Sequence, residues 1–109
     1  MFWGDGYETR DWIYVDDAVS LMVNLVGAYD IPAVINCGSG VSYTIKQILV
    51  MLKDKLNSSV SIEFNNEVRK GDPRYYLADI GLAKSLGWFP ETCIEDGIEK
   101  YANWFMSQV

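Results

Sequence analysis

Histidine is absent from the 109 residues. With it go the commonest metal ligand, the commonest general base, and every Ser-His or Cys-His nucleophile pair. Cysteine is nearly absent too. Cys37 and Cys93 are the only two, in no CxxC spacing, so no zinc site is expected. A disulfide between them is not expected either, and two isolated thiols read as a cytoplasmic chain. Positive charge is outnumbered, with 9 Lys and Arg against 15 Asp and Glu, a net charge of −6 and a pI near 4.4. Nucleic-acid binding rests on basic patches, so that partner class is excluded. No apolar run approaches the roughly 20 residues of a membrane-spanning helix, and the N-terminal MFWGDG lacks the basic start of a secretory signal. Repeats, low-complexity tracts and linkers are missing as well. What remains is 50% apolar and 14% aromatic, the composition of a chain that folds. At this length it makes one compact domain able to bury roughly two-thirds of its unfolded surface.

The stretch RDWIYVDD (10–17) sets the first question. Trp12-Ile13-Tyr14-Val15 favours an extended, buried strand. The plain expectation is that Arg10 and Asp11 face solvent while Asp16 or Asp17 caps the next helix. The sharper one is that the strand carries Arg10 to the rim of a ligand site. Beyond it, Ala18, Leu21, Met22, Leu25 and Val26 recur at the spacing of one buried helical face. The loop AYDIP (28–32) ends that helix ahead of its proline. Ala33–Cys37 reads as a second buried strand, stopping at Gly38-Ser39-Gly40. Thr44 and Gln47 form a capping box before Ile45, Ile48, Leu49, Leu52 and Leu56. Val60–Phe64 alternates as a strand. Asp79 is placed to cap a short helix over Ile80, Ala83 and Leu86. Thr92 and Glu95 make a second capping box for a last helix lined by Ile94, Ile98, Tyr101, Ala102 and Phe105. Strand–helix alternation predicts α/β layering with the first two strands parallel. Two such strands make no stable sheet alone, so the pattern reads as part of something larger.

The chain also lacks the parts a redox enzyme needs. A dinucleotide loop requires GxGxxG directly between strand and helix. Gly38-Ser39-Gly40 follows a strand, but position 43 is Tyr43; Gly4-Asp5-Gly6 has no strand before it. None of the seven tyrosines has a lysine four positions on; those positions hold Asp11, Ala18, Ala33, Gln47, Asp79, Ile80 and Phe105. The carboxylate pairs Asp16-Asp17 and Glu95-Asp96 fall at helix starts, where negative charge suits the helix dipole. By itself this chain is not expected to run a reaction.

One stretch does suggest binding. Arg69-Lys70-Gly71-Asp72-Pro73-Arg74 sets three positive charges on a turn of an acidic protein. A guanidinium there can grip phosphate through two parallel hydrogen bonds, though a solvated turn would look the same by composition. The order of motifs goes further: WGDG (3–6), RDWIYVDDA (10–18), NCGSG (36–40), TIKQIL (44–49), RKGD (69–72), LADIGLAKSLGWFP (77–90) and ETCIEDGIEKYANW (91–104). Over nearly its whole length the chain resembles the C-terminal part of the NAD-dependent nucleotide-sugar epimerases and dehydratases, of the extended short-chain dehydrogenase/reductase family.

The resemblance implies an α/β fold: short parallel strands from the edge of a Rossmann sheet over residues 1–43, and a small helical substrate-binding subdomain over 44–109. It implies that Arg10 and Arg69 reach a nucleotide diphosphate, with Trp12 close to the phosphates. Asp72 would accept hydrogen bonds from ribose hydroxyls, and Trp3 would lie near the base. Lys70 and Arg74 would add a general positive field. Elsewhere structural roles are expected. Trp88 belongs to the core, Cys37 is a small apolar filler, and Trp104 and Phe105 seal the last helix. The family's NAD loop and catalytic Tyr-x-x-x-Lys are missing. The chain therefore reads as a fragment or isolated domain of a larger enzyme, a 4-epimerase ahead of a 4,6-dehydratase, with a sugar-nucleotide reductase or decarboxylase also open. NAD would be held by the missing half and none by this chain alone, and the partner would be a nucleotide-sugar such as a UDP-sugar. The parent is expected to be a homodimer through helices of that half, and the isolated chain to self-associate through exposed apolar surface. A stand-alone nucleotide-binding module, or a non-catalytic remnant, is the alternative.

Overall fold

The computed structural model describes residues 1–109. In chain order the elements are β1 (Thr9–Asp11), α1 (Val15–Leu25), β2 (Ser42–Thr44), α2 (Ile45–Lys55), α3 (Gly81–Ser85) and α4 (Ile94–Gln108). The strands β1 and β2 pair antiparallel, with Arg10 opposite Tyr43. On its other side β1 is flanked by residues 74–76: the Thr9 N–H donates to the Arg74 carbonyl at 2.9 Å and the Tyr76 N–H to Thr9 at 3.1 Å.

These assignments correct the expected strands. The first strand is Thr9–Asp11, three residues ahead of WIYV, because that is where backbone partners exist on both sides. Trp12 through Tyr14 are extended but unpaired, and Trp12 and Val15 are exposed. The expected parallel pair is absent, since Ala33–Cys37 lies beside no other strand of the chain. Within Val60–Phe64 only Phe64 forms a bridge, to Phe2. A hydrophobic run can specify extension, but a ladder also needs neighbours for its N–H and C=O groups.

Helix ends show the same division. The Thr44–Gln47 capping box forms in both directions, at 3.1 and 2.8 Å. Neither Asp16 nor Asp17 caps α1; both lie in its first turn, behind Tyr14 at the cap position. Asp17 is buried and accepts the Thr92 N–H at 2.9 Å. That bond engages the segment ahead of α4, whose cap position falls to Cys93, and the Thr92–Glu95 box does not form. Asp79 accepts the Gly81 N–H at 2.9 Å, one residue before the cap position at Ile80.

The core is small. Leu21, Ala83 and Trp88 form its centre, with Ile13, Leu25 and Ile35 packed around them. Trp88 is only 2% exposed, as expected, and its indole N–H donates to the Asp17 carbonyl at 3.1 Å and to Ser20 Oγ at 2.8 Å. Other expected core residues face solvent instead: Met22 and Val26 on α1, Tyr101, Trp104 and Phe105 on α4, and Cys37. Along α1, Val15, Val19, Met22, Val23 and Val26 leave an exposed apolar stripe. The molecule is a slab of 49 × 37 × 19 Å with a radius of gyration of 16.3 Å, against about 13 Å for a compact chain of this length. Its accessible surface of 7777 Å² compares with roughly 6,100 Å² expected of a compact protein of this mass. No helix is long and apolar enough to cross a membrane.

Candidate functional site

Side chains alternate across a strand, so β1 sends Arg10 and Asp11 to opposite faces. Asp11 does not face solvent. Its Oδ1 accepts the Ser39 N–H at 2.6 Å and the Ser39 hydroxyl at 2.7 Å, and its Oδ2 accepts the N–H groups of Gly40 at 3.0 Å and Ala78 at 3.3 Å. A Cβ on Gly38 would lie 2.5 Å from Asp11 Oδ2 and 2.6 Å from the Ala78 methyl. One carboxylate thus ties the Gly38-Ser39-Gly40 turn and residue 78 to β1. The signal for it was available: an acidic residue next to Arg10 on a strand must use the opposite face, where a glycine turn offers N–H donors.

That geometry also tests the glycine turn against a dinucleotide. The N–H groups of Ser39 and Gly40 are already directed to Asp11, so this turn does not fit a pyrophosphate cradle.

The opposite face of β1 opens into a cleft of about 260 Å³. Of the five residues expected to touch a nucleotide, Arg10, Arg69, Asp72 and Trp3 line it together. Trp12 does not; it borders a separate, largely apolar cavity of about 440 Å³ beside Ile48, Leu52, Ile98 and Tyr101. The RKGD turn explains the convergence of Arg69 and Asp72. The Asp72 N–H donates to the Arg69 carbonyl at 3.1 Å, and Gly71 has φ +94°, the third-position geometry of a type II turn. The two side chains therefore leave the ends of one tight turn. Trp3 arrives because Phe2 and Gly4 pair with residues 63–67 through four backbone bonds of 2.8–3.0 Å.

Electrostatics separates the arginines. Arg74 also lines the cleft but is paired with Asp5 at 2.9 Å. Arg10 and Arg69 form no ion pair; Arg10 donates only to the neighbouring Thr9 carbonyl, at 2.8 Å. Glu8, also in the lining, holds the Asp5 and Gly6 N–H groups at 3.1 and 3.0 Å. Two guanidinium groups without a carboxylate partner thus line one cleft, beside the Glu8, Glu67 and Asp72 carboxylates, and both are free to bind an anion.

The bond to Arg74, followed by the Tyr7 N–H, holds the Asp5 carboxyl below its ordinary 3.8, and the same pairing raises Arg74. A lowered carboxyl pKa favours the fold above the ordinary value, and that contribution fades as pH falls through the lower, folded one. Carboxyl-carbon NMR should find Asp5 titrating below 3.8 and returning toward it in Arg74→Ala. An Asp5 midpoint that Arg74→Ala does not move would rule the bridge out in solution.

The Cys37 thiol is pushed up, first by desolvation and then by the Asp11 and Asp17 carboxylates, the reverse of an activated nucleophile. Groups of acidic and thiol side chains able to hold a metal ion are absent.

The family model for GDP-mannose 4,6 dehydratase matches residues 1–101. The chain belongs to that family. It is a member of the nucleotide-sugar epimerases and dehydratases of the extended short-chain dehydrogenase/reductase group, and its fold matches their C-terminal portion. The chain is 33% identical to a GDP-L-fucose synthase from Sinorhizobium fredii over 107 residues, covering 98% of itself and 34% of that protein. It superposes on the UDP-glucose 4-epimerase of Thermotoga maritima, solved with UDP-glucose, with a TM-score of 0.88 at 32% identity, covering 99% of itself and 34% of that chain. For the Bacillus cereus UDP-glucuronic acid 4-epimerase, solved with UDP-glucuronic acid and NAD, the TM-score is 0.86 at 30% identity, over 99% and 35% of the two chains. The chain spans about a third of the length of the curated relatives it matches.

Proposed function

We propose that this chain supplies the sugar-nucleotide side of the active site of a larger NAD-dependent nucleotide-sugar epimerase, with 4-epimerization favoured over 4,6-dehydration or reduction. Residues 1–43 would complete the edge of its Rossmann sheet and 44–109 its substrate-binding subdomain. The observation that carries this is the pair of unpartnered guanidinium groups, Arg10 and Arg69, lining one cleft with Asp72. Arg10 and Arg69 hold the diphosphate from two separate elements. Asp72, at the far end of the Arg69 turn, accepts from ribose hydroxyls. Trp12, off the cleft, takes no part.

The cleft's size favours a shared site over a stand-alone module. At about 260 Å³ it falls below the roughly 300–1,000 Å³ of a complete small-molecule pocket. The sugar and the reacting carbon must then lie against other protein. The exposed stripe on α1 and the unpaired Ala33–Cys37 segment offer apolar surface for such a neighbour. NAD would be bound there, where a tyrosine–lysine pair and nicotinamide supply the hydride chemistry this chain has no groups to perform. The parent would be a cytoplasmic homodimer, while the chain alone associates through its bare apolar faces.

Calorimetry with UDP tests the site. The isolated chain should bind weakly, at millimolar levels, and Arg69→Ala should cost about ten- to a hundredfold, the loss of charge-assisted hydrogen bonds. Asp72→Ala should weaken UDP but not inorganic pyrophosphate. Equal affinity of Arg69→Ala and the unmodified chain would overturn the assignment.

A further inference from the structure

We infer that Trp3 is a positioning residue for Arg69, presenting its guanidinium to the diphosphate, and not a stacking platform for the base. This rests on the nucleotide site proposed above. Arg69 sits on an exposed turn without an ion pair or a side-chain hydrogen bond. Its guanidinium carbon lies 4.5 Å from the centroid of the Trp3 ring. The Trp3 backbone is held on both sides, while its ring is half exposed. Its neighbours Phe2 and Gly4 are each bonded in both directions to the 63–67 segment: Phe2 N–H to the Glu63 carbonyl, Asn65 N–H to Phe2, Gly4 N–H to Glu67 and Asn66 N–H to Gly4. Gly4, at φ +82°, then turns the chain away, and a Cβ there would run into the Glu8 carboxylate.

A guanidinium held over an aromatic ring by its charge keeps most of its five N–H donors available. The contact therefore orders a rotamer-rich side chain without using the groups that bind phosphate, and an arginine ordered before binding loses less freedom on binding. Because Trp3 acts through Arg69, it should affect every ligand carrying the diphosphate, whatever the base. A base-stacking tryptophan would instead discriminate by the base alone.

The test compares UDP with inorganic pyrophosphate, which has no base, on the 109-residue chain. Trp3→Leu should weaken both equally, by about two- to fivefold, the worth of an exposed cation–π contact. Trp3→Phe, which keeps an aromatic face, should restore most of that. In an Arg69→Ala background, Trp3→Leu should cost nothing more. The unmodified chain gives a reading independent of any variant's folding: NMR should show the Arg69 side-chain protons shifted upfield by the indole ring. Weakening of UDP alone, additive losses in the double variant, or unshifted Arg69 protons would each overturn the inference while leaving the nucleotide site standing. Failure of the unmodified chain to bind either ligand would overturn both.

Discussion

Trp88→Ala should lose about 3–5 kcal/mol of stability, the cost of emptying a large aromatic site in a packed core. A chain of this length has roughly 5–15 kcal/mol in all, so the variant loses a large share of its stability. The effect is large because so little else is buried: 12 of 109 residues, with Trp88, Leu21 and Ala83 at the centre. Trp88 also joins two helices. Its ring meets α1 and α3, and its N–H reaches the Asp17 carbonyl and Ser20 Oγ. Trp88→Phe keeps most of the apolar volume and removes one donor; the Asp17 carbonyl still accepts the Ser20 hydroxyl at 2.8 Å, so the change should cost about 0.5–1.5 kcal/mol. Urea unfolding followed by circular dichroism would read both. A midpoint unchanged in Trp88→Ala would show that the core lies elsewhere.

Asp11→Ala should follow, at about 2–4 kcal/mol, because four donors lose one acceptor group at once and three of them are backbone N–H groups. Asp11→Asn should be nearly as damaging. Each carboxylate oxygen accepts two donors, so an amide must turn its NH₂ toward N–H groups on one side whichever way it is flipped. Hydrogen exchange at Ser39, Gly40 and Ala78 should speed up in both variants before global unfolding. Because Arg10 shares β1 with Asp11, UDP affinity should fall as well. Retained protection at all three amides would show that the turn holds without the carboxylate.

Local signals in the sequence were read correctly where one residue decides the outcome. The Thr44–Gln47 capping box, the burial of Trp88, the four helical stretches and the Arg69-x-Gly71-Asp72 turn are all in the structure. Arg10, Arg69, Asp72 and Trp3 line one cleft from separate parts of the chain, a juxtaposition that residue spacing alone does not show. Strand pairing was not legible. Trp12–Tyr14 is apolar but has no ladder partners, Val15 already opens α1, and β1 instead forms at TRD beside β2, a stretch with no strand signature of its own. Helix caps failed where a tertiary bond won. Asp17 and Thr92 each had a local role available, and the Thr92 N–H bond to the Asp17 carboxylate displaced both. Trp12 lines the apolar cavity and not the cleft that holds the other four expected residues.

A map of amide shifts in the isotopically labelled chain as UDP is added tests the nucleotide site most directly. Trp3, Gly4, Arg10 and residues 69–72 should shift together along one saturable curve, while Leu52 and Ile98 at the apolar cavity stay still. Shifts centred on that cavity, or none anywhere at millimolar UDP, would contradict a nucleotide site built on Arg10 and Arg69.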